Sequence, residues 1–187
     1  LGQVSDKDVF QILSRQKSTY FRPGTRYRYS NSAYCILAQV IERVSALSFS
    51  SYLEKYIFNP LGMDTSVAFV KGMPPIHERA LGYSPKANGF VLTDQSQTSA
   101  TLGDGGIYTS VRELFHWLEM WGGGLSVISE ENQRLMTTAK SLESGKKTSY
   151  GYGWSLGSLG GWKKISHTGG TIGHKHAIAY FPEKKLG

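Results

Sequence analysis

A proline–glycine turn set among aromatics and followed at once by an amphipathic run does most to restrict this chain. Pro23 presets φ and Gly24 accepts positive φ, so the chain reverses at Arg22–Thr25. Tyr20, Phe21, Tyr27 and Tyr29 surround the turn. From Tyr34 onward, Leu37, Ala38, Ile41 and Val44 recur at helical spacing, which predicts a helix over 32–45. Tyr29 and Asn31 therefore stand just ahead of a helix start, with Asn31 where the helix begins. Loops held by rigid elements are common positions for catalytic groups.

The remaining pattern fills in a mixed architecture. Ser5 or Asp6 caps a helix over 5–17 whose stripe is Val9, Phe10 and Leu13. A second stripe, Phe49, Tyr52, Leu53, Tyr56 and Ile57, predicts a helix over 48–58 that Pro60 and Gly62 stop. Residues 64–100 read as irregular, with short strands at 82–83 and 90–92 and a loop at 84–89. Gly103-Asp104-Gly105-Gly106 lacks the GxGxxG order and the P-loop lysine, so it reads as a tight turn of close backbone approach rather than a phosphate cradle. Ser110 and Glu113 form a capping box before Leu114, Trp117, Leu118 and Trp121, and Gly122–Gly124 ends that helix. Ser129 caps another to about residue 138.

The last third changes character. Tyr150–Leu156 alternates aromatic with small residues and predicts a strand; Lys163–His167 and Ala177–Phe181 predict two more. Pro182–Gly187 reads as a hairpin turn without its returning strand, which leads us to expect a missing C-terminal part. The fold expected is α+β: an antiparallel sheet flanked by helices, with a helical subdomain, and lacking N-terminal and C-terminal parts. Residues 1–187 form one partial domain, with 5–138 mainly helix and loop and 150–187 part of the sheet.

Composition sets outer bounds. The length of 187 residues suits a single core, and 22 glycines with 11 tyrosines favour turns and aromatic surfaces over a helical bundle. The net charge of +7 lies largely from Lys140 onward, where eight lysines, Lys140 included, face Glu143 and Glu183. These lysines come at most in pairs, and no zinc-finger or RNA-binding pattern accompanies them, so nucleic acid is not the expected partner. Cys35, the only cysteine, excludes an intramolecular disulfide and a cysteine metal cluster, and reads as a small buried hydrophobe. There is no apolar run of transmembrane length and no signal-peptide pattern at Leu1. No metal and no cofactor are expected.

Two segments carry chemistry. A free phenol has a pKa of about 10, so Tyr29 can move protons only beside a cation or within a hydrogen-bonded relay. His167 or a lysine would supply that cation. Asn31, two residues on, points the same way if the segment is extended, and its amide can orient a lysine or bind a carbonyl. In His167-Thr168-Gly169-Gly170, glycines at a strand end let a substrate lie against the backbone. The Gly170 N–H can form half of an oxyanion hole, and Thr168 can bind a carbonyl or carboxylate. The structural alternative is a packed Tyr29, a capping Asn31 and a plain Gly-Gly turn.

Five pieces in order raise a resemblance. They are Phe21-Arg22-Pro23-Gly24 leading to Tyr29-Ser30-Asn31, Asn59–Met63, Gly105–Ser110, Tyr150–Trp154, and His167–Gly170. Together they resemble the serine β-lactamase and penicillin-binding-protein superfamily, in its class C-like esterase and D-aminopeptidase branch. The resemblance implies an acyl-serine hydrolase acting on a β-lactam, a D-amino-acid peptide or a carboxylic ester. It implies Tyr29 as base or relay, Asn31 touching lysine and substrate, and His167, Thr168 and Gly169 as the H-T-G strand. It also implies a periplasmic, envelope or secreted setting. The family's S-x-x-K serine should stand well upstream of Tyr29. Ser14-Arg15-Gln16-Lys17 lies too close to it, and Ser144-Gly145-Lys146-Lys147 lies in a polar loop. The nucleophile is thus expected outside this chain, upstream of it, with the fragment alone inactive. The alternative is a non-catalytic domain that binds peptidoglycan or peptide. A complementing N-terminal segment that supplies the serine is a third reading.

Overall fold

The computed structural model describes residues 2–187. Helix α1 spans Asp6–Ser14 and opens with a reciprocal cap, in which the Ser5 hydroxyl takes the Asp8 N–H and the Asp8 carboxylate takes the Ser5 N–H. It ends three residues earlier than the pattern predicts, because the apolar stripe runs out at Leu13. Asp6 is buried, and its carboxylate accepts the N–H groups of Leu102 and Gly103 at 2.8 and 3.0 Å. That pair of bonds fastens α1 to the glycine turn.

Helix α2 spans Asn31–Ser45, and its cap is Ser30, not Asn31: Ser30 Oγ accepts the Ala33 N–H at 3.1 Å. Asn31 is the first helical residue. Cys35 and Ala38 are buried, whereas Leu37 and Val44 of the predicted stripe are exposed. The buried face meets Gly103. A Cβ there would stand 2.4 Å from the Tyr34 carbonyl oxygen and 2.8 Å from Ala38 Cβ, so the close approach predicted for the glycine cluster is real.

The predicted single helix over 48–58 is three pieces: α3 (Phe49–Leu53), a π-helical turn (Glu54–Phe58) and α4 (Asn59–Leu61). Pro60 does not stop it. Proline lacks the N–H that the ladder needs, and the wider π turn, closed by Asn59 N–H to Glu54 C=O, admits the ring. Gly62, at φ 69°, ends the helix instead.

Strand β1 (Val67–Ala68) leads to a hairpin of β2 (Tyr83–Lys86) and β3 (Gly89–Leu92), joined by Ala87-Asn88. The segment predicted as loop is thus mostly paired; Pro85 is tolerated because this ribbon has two edges. Strand β4 (Ile107–Tyr108) pairs with β1. Helix α5 (Val111–Trp121) has only half of the predicted capping box. Ser110 Oγ takes the Glu113 N–H, but the buried Glu113 carboxylate turns to the Thr65 N–H and the Ser66 hydroxyl. Helix α6 spans Glu130–Met136, capped by Ser129 as predicted.

The main sheet is antiparallel, β5 (Ser155–Leu159), β6 (Trp162–Thr171) and β7 (His174–Tyr180), in that order. Residues 150–154 do not form the predicted strand. Gly153 has φ 78°, and the Gly151 N–H donates to the Trp154 carbonyl at 2.8 Å, so the alternation of aromatic and small residues belongs to a tight loop. A Cβ at Gly151 would stand 1.9 Å from the Met136 carbonyl oxygen, which explains the small residue. The chain leaves β7 through a 3-10 turn at Pro182–Lys184 and bridges Phe181 to Leu186.

Two clusters form the core. Phe58, Leu61 and Met63 pack with Leu53, Ile57, Trp117 and Val127. Trp154, Ile165 and Tyr180 pack with Trp117, Leu118, Trp121 and Met136. Trp117 joins the two, so α5 seats the sheet against the helical part. Asp94 ties the β2–β3 ribbon to the β6–β7 turn: it binds Arg79 through two bonds, accepts the Gly82 N–H and lies 3.5 Å from His174 Nε2. The Arg79 bond holds its carboxyl well below the usual carboxylate range. The depressed folded value means that its contribution is present above the unfolded pKa of about 3.9 and is lost as pH falls below it. Asp94→Asn should therefore lower stability at pH 7 and flatten its decline in acid. Parallel acid-denaturation curves for the two proteins would contradict this.

Candidate active site

The turn at Pro23-Gly24 and the 140–148 segment set the position of Tyr29 from one side, and β6 sets His167 and Thr168 from the other. Between them lies a cleft of about 460 Å³ lined by Tyr27, Tyr29, Tyr150, His167 and Thr168, with Ser149, Ser155 and Leu156 at its floor and rim. The two predicted segments, 138 positions apart from Tyr29 to His167, therefore meet. The Tyr29 and His167 rings are 6.0 Å apart between centroids.

Tyr150 stands between them. Its ring meets Tyr29 edge-on at 5.9 Å and Tyr27 at 5.8 Å, and its hydroxyl shares a hydrogen bond of 2.8 Å with His167 Nε2. The aromatic–small alternation predicts a strand through Tyr150 and points to no role for it in the site. The signal was present, since Tyr150 opens the aromatic–glycine motif, but its side chain's direction follows from the loop, which the alternation concealed. Tyr27 was likewise assigned only to the turn.

The electrostatics favour protonated phenols. Burial, then the charge of Asp104 and the neighbouring Tyr34, push Tyr29 above its ordinary value. Burial, then Tyr34 and Tyr29, push Tyr150 up much further, and Tyr27 rises by burial as well. His167 is a neighbour of Tyr29, but its Nε2 bonds the Tyr150 hydroxyl, and of the two modes open to Tyr29 the raised pKa favours the protonated phenol over the phenolate. Cys35 on α2 is buried, and its thiol is pushed up to about 12 by burial and by Asp6, which disfavours the reactive thiolate.

Asn31 is exposed on the first turn of α2 and does not line the cleft. Gly169 and Gly170 do not end the strand, as the turn is Ile172-Gly173; they lie inside β6, opposite His176 and Lys175. A Cβ on Gly169 would stand 1.9 Å from His176 Nε2. Strand β5 pairs only with Trp162–Ser166 of β6. From His167 to Thr171, β6 is paired on the β7 side alone, so its other edge is open beside the cleft.

Neither S-x-x-K match lines this cleft. Ser14 is exposed at the end of α1 and donates to the Gln11 carbonyl. Ser144 is exposed in a turn, where it accepts the Lys146 N–H, so the motif has no helix to align serine with lysine. Among the described residues no helix is long and apolar enough to cross a membrane.

Comparison with known proteins bears on the family and the fold. Residues 3–187 match the family described as Beta-lactamase. Penicillin-binding protein 4* of Bacillus subtilis is 27% identical over 97% of this chain and 43% of its own length. A D-aminopeptidase of Cereibacter sphaeroides is 25% identical over 96% of this chain and 34% of its own. The octameric penicillin-binding protein homologue from Pyrococcus abyssi superposes with TM-score 0.82 at 29% identity, over 97% of this chain and 42% of that one. A D-amino acid amidase from Ochrobactrum anthropi, at 20% identity and TM-score 0.79, shares the fold. The chain spans less than half the length of these curated relatives.

Proposed function

Because this chain belongs to the Beta-lactamase family of serine hydrolases, we propose that it forms the proton-transfer and substrate-binding wall of an acyl-serine hydrolase. The substrates are amides or peptides of D-amino acids, with β-lactams and carboxylic esters open to the same acyl chemistry. The observation that carries this reading is the convergence of Tyr29, Tyr150, His167 and Thr168 on one cleft beside an open strand edge. The substrate lies along His167–Thr171, as an added strand would. The Thr168 hydroxyl binds its carbonyl or carboxylate, and the Gly170 N–H supports the oxyanion as the serine adds.

Tyr29, protonated, works as a relay. It accepts the serine proton as it passes its own to the leaving nitrogen, so no net charge is left on the phenol. Tyr150 holds the His167 ring in place through the 2.8 Å bond. Asn31, at the start of α2, acts on the lysine that accompanies the serine. The serine itself is outside these residues, on a complementing N-terminal segment, as the positions of Ser14 and Ser144 suggest. The setting is the periplasm or cell envelope. The same positions favour a second reading, a domain that binds peptide without turnover.

Labelling with a fluorophosphonate and with a fluorescent penicillin separates these. The chain alone should show no stoichiometric serine modification, and the chain mixed with a segment bearing an S-x-x-K helix should label on that segment. Modification of Ser14 or Ser144 would overturn the assignment. Binding of a D-amino-acid amide with no labelling in either mixture would favour the second reading.

A further inference from the structure

A second cleft opens from the first and carries positive charge. Its volume is about 480 Å³, it shares Tyr27 and Ser149 with the candidate active site, and Arg26, Lys146 and Lys147 line it. Its walls are tied together. Residues 140–148 form a small hairpin, with Ser141 bridged to Lys147, the Leu142 N–H bonded to the Lys146 carbonyl and the Thr148 N–H bonded to the Lys140 carbonyl. That hairpin docks on the Pro-Gly turn through the Glu143 N–H to the Gly24 carbonyl at 2.9 Å and the ion pair of Arg22 with Glu143.

The docking leaves the charge unbalanced. Glu143, the one acid of the hairpin, is taken by Arg22. Lys140 lies over the Tyr152 ring and Arg28 over the Tyr20 ring. Arg26, Lys146 and Lys147 have neither an ion pair nor an aromatic partner among the described residues. Asp104, whose charge reaches Tyr29, lies on the glycine turn and does not line this second cleft. Three free cations in a concave extension of the candidate active-site cleft favour an anion there.

We propose that this cleft is an anion subsite and that the substrate carries an acidic side chain, a carboxylate, next to the D-residue whose amide is cleaved. The inference rests on the reading that the substrate binds beside Tyr29 and Thr168. Two capped peptides differing in one charge test it: N-acetyl-D-glutamyl-D-alaninamide and N-acetyl-D-glutaminyl-D-alaninamide, titrated into the labelled chain and followed by NMR. The acidic peptide should bind about 5-fold tighter, the modest sum of exposed pairs, and shift the Arg26 side-chain signals. The variant R26Q/K146Q/K147Q should bind both peptides with the affinity of the neutral one. So should the unmodified chain in about 1 M salt, where the screening length is about 3 Å. Equal affinities in the unmodified chain, with Thr168 and His167 signals shifting, overturn the subsite and leave the site reading intact. Shifts at Arg26 with none at Thr168 overturn the site reading and keep the anion site. No shift with either peptide overturns both.

Discussion

Tyr29→Phe is expected to slow acyl transfer by the serine-supplemented protein about 10²- to 10⁴-fold, the usual contribution of a positioned proton-transfer group. The substitution deletes one oxygen and keeps the ring. The edge-on contact with Tyr150 and the approach to His167 survive, so the cleft keeps its shape. The effects acting on Tyr29 are burial and charge, with no hydrogen bond among them, so its loss strands no partner. The defect should therefore fall on kcat for ester or D-amide hydrolysis, with KM little changed. Tyr150→Phe should behave differently, since it frees His167 and disturbs both parameters. A Tyr29→Phe protein that retains full kcat would remove Tyr29 from the reaction.

The largest stability effect should come from Trp154→Ala. Trp154 is 4% exposed, meets Trp121 edge-on at 5.5 Å and packs on Ile165 and Tyr180. Truncating a buried tryptophan costs about 3–5 kcal/mol through lost transfer energy and the cavity left behind. For a domain of this size that lowers Tm by roughly 10 °C. Trp154 precedes Ser155 and Leu156, which line the cleft, so ligand affinity should fall with it. Thermal unfolding followed by circular dichroism reads the first effect; a drop below about 3 °C would mean that this core cluster relaxes around the hole.

Sequence periodicity carried much of the architecture because the longer helices have their own start signals. Ser5, Ser110 and Ser129 cap as expected, and the glycine cluster at 103–106 approaches α2 as its composition implies. The errors share one physical cause. A local pattern cannot report how neighbours satisfy the backbone. Pro60 enters a helix because a π turn removes the need for its N–H, and Tyr150–Trp154 curls because Gly153 takes a positive φ. The same limit hid Tyr150 from the site. Tyr29, His167 and Thr168 were legible as candidates because their motifs stand in order with three others, each weak alone, whereas the direction of the Tyr150 hydroxyl depends on a loop closed by long-range packing.

The one-sided pairing of β6 brings a hazard as well as a use. An unpaired strand edge is a template for any extended chain, and edges of this kind nucleate aggregation. Here Gly169 and Gly170 supply no side chains to stack against an intruding strand, and Lys175 lies beside the second of them. A short peptide gains from the exposed amides, while a sheet-forming partner finds little to pack on. The glycine pair thus offers an intruding strand little to pack on, which should limit the growth of intermolecular sheet along this edge.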